Sequence, residues 1–158
     1  MTTILQASQV RQIALGVFAQ GAAKTVPQNG TTTIFTVAGG RVLVTALYGV
    51  VTTIIGGTTP ALKLIATPTV GSANDMCTAL TITADEVGNM FVMPNAVGSA
   101  LVGIAAPGKS GSISFAAGGQ IVAPGTIGFN VSAADATGAI QWTCTYVPLD
   151  TGASLVAN

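Results

Sequence analysis

The segment Ala139-Ile-Gln-Trp-Thr-Cys-Thr-Tyr-Val147 decides the fold class of this chain. Its even-numbered residues from Ile140 to Tyr146 are apolar, whereas the odd-numbered residues between them are Gln or Thr. Successive side chains of a β-strand point to opposite faces, so this alternation predicts a strand with one face in a core. Residues 126–131 repeat the pattern, with apolar side chains at positions 127, 129 and 131.

Outward from this segment, the chain shows further short strand signals separated by turns. Residues 31–37 are rich in Thr, Ile and Val and follow Asn29-Gly30, a favoured hairpin dipeptide. Residues 41–55 form a long apolar run, enough for two strands or for one that bends at Gly49. Shorter strands are predicted at 60–66, 79–83, 89–93, 100–104, 111–115 and 119–122. The pattern predicts an all-β fold, an antiparallel β-sandwich or jelly roll.

The chain divides by this pattern into three parts. Residues 1–30 are predicted to be an N-terminal arm or a short helix plus the first strand, residues 31–148 the β-sandwich, and residues 149–158 a C-terminal tail. Apolar residues between positions 4 and 19 roughly follow a helical period, but an extended arm is favoured. At 158 residues the chain is long enough for one domain with a real core.

Charged side chains are scarce. They make up 6% of the chain, with five Lys and Arg, five Asp and Glu, no His and a formal net charge of zero, whereas about 25% is usual in a soluble domain. A surface so poor in charge favours association, so we expect much of it to be covered by protein partners. Five scattered cations cannot form the basic footprint of a nucleic-acid-binding protein.

Neither a membrane anchor nor an export leader is predicted. Gly, Thr and Pro interrupt every apolar run before it reaches the length of a membrane-spanning helix. Residues 13–19 form an apolar stretch, but Arg11 lies late for the basic region of a signal peptide.

One motif matches a nucleotide-binding pattern literally. Residues 103–110, Gly-Ile-Ala-Ala-Pro-Gly-Lys-Ser, satisfy the phosphate-loop spacing G-x-x-x-x-G-K-[ST]. A working loop leads into a helix whose N-terminus receives the phosphates. Here Gly111-Ser-Ile-Ser-Phe follows, which predicts another strand, so the motif is interpreted as a surface turn.

The sequence lacks the residues that other common catalytic and metal sites require. Without histidine there is no Ser-His or Cys-His pair, and Cys77 and Cys144 have no metal-ligand spacing. Both cysteines are interpreted as small apolar strand residues, and a disulfide between them stays open. Trp142 is predicted to anchor the core, with an interface hot spot as the alternative. No enzyme activity, cofactor or small-molecule substrate is predicted.

The C-terminal third contains Pro124-Gly-Thr-Ile127, Ala136-Thr-Gly138, Gln141-Trp142, Tyr146-Val-Pro-Leu-Asp150 and Gly152-Ala153, and an earlier segment reads Gly39-Gly-Arg-Val-Leu-Val-Thr-Ala-Leu-Tyr48. In these segments the chain resembles small virion proteins of tailed bacteriophages. Within that group the chain looks most like capsid decoration, or cement, proteins. The resemblance implies a homotrimer that assembles in the host cytoplasm, sits on the capsid exterior and binds between major capsid subunits.

The N-terminal segment supplies the predicted partner contacts, because an arm can reach a neighbouring subunit. The candidates are its larger apolar residues: Ile4, Leu5, Val10, Ile13, Val17 and Phe18. Alternative functions are a tail, neck or fibre-base component, the shell subunit itself, or a carbohydrate-binding jelly roll on the virion. The last needs exposed aromatic side chains, and the chain has eight aromatics in all.

Overall fold

A computed structural model describes residues 6–94, 96–104 and 119–158. Within these ranges the structure has a helix α1 and thirteen strands, β1 to β13. In chain order they are α1 (Ala7–Leu15), β1 (Val17–Gln20), β2 (Lys24–Thr25), β3 (Gly30–Ala38), β4 (Val42–Gly56), β5 (Ala61–Pro68), β6 (Asn74–Asp75), β7 (Leu80–Thr81), β8 (Met90–Val92), β9 (Val102–Ile104), β10 (Gln120–Val122), β11 (Gly125–Val131), β12 (Thr137–Pro148) and β13 (Ser154–Ala157).

The strands form two antiparallel sheets that pack together, which confirms the predicted β-sandwich. Sheet A has the order β1-β12-β4-β8-β9, with β10 also pairing with β4 and β2 with β12. Sheet B has the order β13-β3-β11-β5-β6, with β7 also pairing with β5. The jelly-roll topology stays a prediction.

The strand that decided the fold class lies at the centre of the core. The even-numbered residues of β12 from Ile140 to Tyr146 are buried, as their alternation predicted. Trp142 packs across the sandwich on Phe129 of β11, with ring centroids 5.5 Å apart, so it is a core anchor. Gly49 of β4 lies opposite Trp142 in the sheet register. A Cβ atom there would come within 2.9 Å of the indole ring, so glycine makes room for the tryptophan.

The first structured segment differs from the favoured prediction of an extended arm. Residues Ala7–Leu15 form a helix, because this segment contains no Gly or Pro and is rich in Ala, Gln and Leu. The helix ends at Gly16, whose φ of 89° lies in the left-handed region. Any Cβ there would lie 2.6 Å from the carbonyl oxygen of Tyr146. Glycine thus allows the chain to turn from helix to strand directly beside β12.

The segment predicted as a C-terminal tail contains a strand of sheet B, β13, at Ser154–Ala157. β13 pairs with β3 in the register Ser154 opposite Ala38 through Ala157 opposite Phe35. Leu155 is buried in the core, and this burial explains why four residues suffice to hold the strand.

The long apolar run forms one strand, β4, rather than two. It pairs along one side with β12, and on the other side with β10 near its start and β8 near its middle. The strand predicted at 111–115 lies outside the described residues, as does most of the phosphate-loop motif. Cys77 and Cys144 are both buried and free.

Candidate interaction surface

The outer face of sheet A carries a row of apolar side chains. Val147 of β12 lies opposite Leu43 of β4, and Leu43 lies opposite Ile121 of β10. Directly opposed residues in antiparallel strands point to the same face of the sheet. Tyr146, the neighbour of Val147, is buried in the core, so the row faces outward.

Phe18 of β1 extends this row by one strand. It lies opposite Thr145, two residues before Val147 and therefore on the same face. Its side chain is 59% exposed, that of Ile121 65% and that of Val147 38%, while Leu43 is half-buried. We call Phe18, Leu43, Ile121 and Val147 the apolar row. It crosses four strands in the spatial order β1, β12, β4, β10.

The polar groups beside the apolar row are uncharged and satisfy one another. The Oγ1 atoms of Thr45 and Thr145 lie 3.0 Å apart, and Gln20 Nε2 donates to Thr143 Oγ1 at 3.0 Å. Lys24 of β2 is the single charged residue in the seven strands of sheet A. A partner that covers this face therefore removes few charges from water, and charge desolvation is the main cost of burying polar surface.

An ion pair lies beside the middle of the row, next to Leu43 and Val147. The Arg41 guanidinium contacts Asp150 at 2.8 and 2.9 Å, and the backbone N–H of Arg41 donates to the same carboxylate at 2.7 Å. These hydrogen bonds hold the pKa of Asp150 well below its usual range. They also tie the start of β4 to the turn before β13, which fixes the backbone next to Leu43.

Helix α1 precedes the row and projects from the sandwich. Every residue of the helix whose burial is described is exposed, including Ile13 at 74%. Val10 and Ile13 are three residues apart and lie on one side of the helix. A nine-residue helix is marginal in water without tertiary packing. The helix thus presents apolar side chains that the described part of the same chain does not cover.

The predicted contact residues separate into three groups. Ile4 and Leu5 lie outside the described residues. Val10, Ile13 and Phe18 are exposed, as a contact requires, whereas Val17 is partly buried and packs against the core. Sequence reasoning missed Leu43, Ile121 and Val147, because their alignment depends on the register of three strands that are distant in sequence.

Across residues 6–94, 96–104 and 119–158, no group of three or more His, Cys, Asp or Glu could hold a metal ion. Burial raises the pKa of the Cys144 thiol to about 12 and raises that of Cys77, so neither is a ready thiolate. No helix in this part of the chain is long and apolar enough to cross a membrane.

Comparisons with protein families, curated proteins and solved structures found no match to this chain. The fold and its outer surface are therefore the features that bear on function.

Proposed function

We propose that this chain is a structural virion protein, a capsid decoration protein that binds between major capsid subunits and stabilises the head of a tailed bacteriophage. The observation that carries the proposal is the apolar row, which is exposed on a sheet face whose strands contain one charged residue. A surface of this kind favours a protein partner, since exposed contiguous apolar patches mark interaction sites. The phage particle itself enters through the sequence resemblance of the C-terminal third.

The contact energy of such a face comes from apolar burial. Covering a side chain such as Phe18 or Ile121 contributes about 1.5–3 kcal/mol. Because Lys24 is the single cation in these strands, little of this gain is lost to desolvation of charge. Binding through this face should therefore depend weakly on salt concentration.

Helix α1 adds a second contact that the row alone would not provide. Its exposed Val10 and Ile13 lie at the start of the chain segment that leads through Gly16 into the row. Docking on a neighbour would supply the tertiary packing that a helix this short needs. On this proposal the helix is the arm that reaches the adjacent subunit, and the apolar row is the surface that binds the capsid shell. A trimer follows from the resemblance.

The test is binding of purified protein to heads that lack it, measured by co-sedimentation and by electron microscopy of the particles. Phe18→Ser and Ile121→Ser should each weaken binding by about 10- to 100-fold, because each removes one buried apolar side chain. Val87→Ser is the matched control: Val87 is 53% exposed in the loop between β7 and β8, where the neighbouring Gly88 bonds to Val51 of β4, eight residues along the strand from Leu43. It should bind like the unmodified protein.

Undiminished binding of both row variants would contradict the assignment of this face. A map that places the protein only in the tail would contradict the decoration role and favour the alternative of a tail component. The double variant Val10→Ser/Ile13→Ser tests the helix separately. It should lower occupancy on heads without changing the folding of the sandwich, because both side chains are exposed in the free subunit.

A further inference from the structure

Strand β1 forms an edge of sheet A. It pairs with β12 in the register Val17 opposite Tyr146 through Gln20 opposite Thr143. On its other side it has no partner among the described strands. An edge strand presents unpaired backbone N–H and C=O groups, and a strand from another chain can pair with them. The edge of β1 is therefore a place where sheet A could continue into a second molecule.

The hydrogen-bond pattern of β1 shows which backbone groups point out of this edge. The backbone N–H of Gly21 donates to the carbonyl of Trp142 at 3.4 Å, so these two residues form a hydrogen-bonded pair. Hydrogen-bonded and non-hydrogen-bonded pairs alternate along an antiparallel ladder, and the register of β1 on β12 is regular. Ala19 therefore also bonds to β12, whereas the N–H and C=O groups of Phe18 and Gln20 point away from it.

The edge of β1 lacks the chemical features that usually prevent pairing with another chain. Natural edge strands are blunted by charged residues, by proline or by bulges. Residues 17–23 contain no charged residue and no proline, and β1 has no bulge in its register. At the opposite end of sheet B, β6 carries Asp75, which pairs with Lys63 of β5. The edge of β6 is thus charged, while that of β1 is open to a further strand.

The exposed backbone groups of β1 are arranged symmetrically about Ala19. Phe18 and Gln20 flank this residue, and each directs one N–H and one C=O outward. Two antiparallel copies of β1 with Ala19 opposite Ala19 therefore place Phe18 of each copy opposite Gln20 of the other. Each of these two pairs exchanges two hydrogen bonds, which gives four in all. A centre at either neighbour of Ala19 gives only two within the strand, so β1 is complementary to itself about Ala19.

The side chains of β1 suit the same arrangement. Phe18 is 59% exposed, and the Phe18 side chains of the two copies become diagonal neighbours at about 7–8 Å, within reach of aromatic rings. The central pair is not hydrogen-bonded, and its Cα atoms approach to about 4.5 Å. The small side chain of Ala19 fits this close approach. No like charges oppose one another, because residues 17–23 are uncharged.

We propose that β1 pairs with β1 of a second copy of this chain about a two-fold axis at Ala19, so that sheet A continues from one copy into the next. The apolar rows of the two copies then lie on one continuous sheet face. A two-fold contact does not close a ring of three, so this contact links copies beyond the trimer that the resemblance implies. The inference goes beyond the proposed function, because the isolated protein is enough to test it.

The first experiment is sedimentation equilibrium of the full-length protein from about 10 µM to about 1 mM. The contact consists of four backbone hydrogen bonds and two aromatic rings, which is small for a protein interface, so we expect a Kd on the order of 100 µM. The average mass should rise with concentration toward twice that of a variant in which the edge is blocked.

Gln20→Pro is that variant. It removes the outward N–H of Gln20 in each copy and with it two of the four hydrogen bonds. Proline is tolerated on an edge strand where the N–H faces solvent, so the sandwich should still fold. Association should weaken by about 10- to 100-fold, as expected from the loss of two hydrogen bonds.

Ala157→Pro is the matched control on β13, an outer strand of sheet B. The N–H of Asn158 donates to the carbonyl of Ile34 on β3 at 3.0 Å, so by the same alternation the N–H of Ala157 points away from β3. This variant blocks the other edge in the same way and should leave association unchanged. Association that Ala157→Pro weakens and Gln20→Pro does not would place the contact on β13 and overturn the proposal.

A second measurement needs no variant. In an equal mixture of ¹³C-labelled and unlabelled protein at about 1 mM, an isotope-filtered NOE should connect the Hα atoms of Ala19 in the two copies. These atoms face each other only in a non-hydrogen-bonded antiparallel pair. Absence of this NOE in an associated sample would overturn the proposal. So would an average mass that does not change with concentration and equals that of Gln20→Pro, because the edge would then bind no second copy.

Discussion

Gly49→Ala is expected to destabilise the fold, because the new methyl group would collide with the central tryptophan. The added Cβ would lie 2.7 Å from Ile140 Cγ2 and 2.9 Å from Trp142 Cε3 and Cζ3. Favourable contacts between carbon atoms begin at about 3.5 Å, so these approaches are short by about 0.6–0.8 Å. Trp142 cannot retreat, since it is buried and packs on Phe129 across the sandwich.

The magnitude follows from two opposing effects. Overpacking of a core costs about 1–3 kcal/mol, and replacing glycine in a strand recovers about 0.5–1 kcal/mol of conformational entropy. The expected net loss in the free energy of unfolding is about 1–2 kcal/mol. For a chain of this size that corresponds to a fall in Tm of about 2–8 °C. Urea denaturation followed by far-UV circular dichroism measures the loss, and differential scanning calorimetry the Tm.

A matched control isolates the steric effect. Gly30 is also a strand glycine, but a Cβ there would meet its nearest neighbours, Gln28 O and Pro27 Cβ, at 3.6 and 3.9 Å. Gly30→Ala should therefore be neutral or slightly stabilising. Adding Trp142→Phe to Gly49→Ala should cost less than the sum of the two single changes, because the smaller ring leaves room for the methyl group. If Gly49→Ala were as stable as Gly30→Ala, the packing argument would be refuted.

Two further predictions concern ionisable groups. Asp150→Asn should make the free energy of unfolding fall less steeply as the pH is lowered. Arg41 lowers the pKa of Asp150 in the folded state, so the pair stabilises the fold above the unfolded-state pKa of about 4. This stabilisation is lost as the pH falls through the lower pKa of the folded state. Urea midpoints measured from pH 7 downward test this, and identical pH profiles for Asp150→Asn and the unmodified protein would contradict it. Cys77 and Cys144 should resist alkylation at neutral pH in the folded protein and react fully in guanidinium, since burial raises the pKa of both thiols. Mass spectrometry after iodoacetamide treatment counts the modified thiols, and rapid double labelling of the native protein would show that the sandwich opens readily.

The strands of the sandwich were predictable because their signals are local. The alternation in β12 and the glycine-flanked run of β4 are visible within ten to fifteen residues, and the structure places both as the sequence indicates. The helix at Ala7–Leu15 was weighed against an arm and ranked second, because its short apolar period is weak. β13 was missed since only four residues form it and its partner β3 lies more than a hundred residues earlier.

The candidate surface was predictable only in part, for the same physical reason. Phe18 stood out as an apolar residue near the N-terminus, but nothing local in the sequence relates it to Ile121 or Val147. Their shared face depends on the registers of β1, β12, β4 and β10.

The apolar row is built from strands that are far apart in sequence, so it can form only late in folding. Phe18 is positioned by Thr145, and Leu43 is aligned between Val147 and Ile121, so no short stretch of the chain can display the row. Pairings this distant in sequence form late, after the loops between them have closed. A chain still emerging from the ribosome, or one truncated before β12, lacks the face that a partner would recognise. On the proposed function, the fold would delay association with the capsid until synthesis and folding are complete, and incomplete chains would be kept out of the assembly.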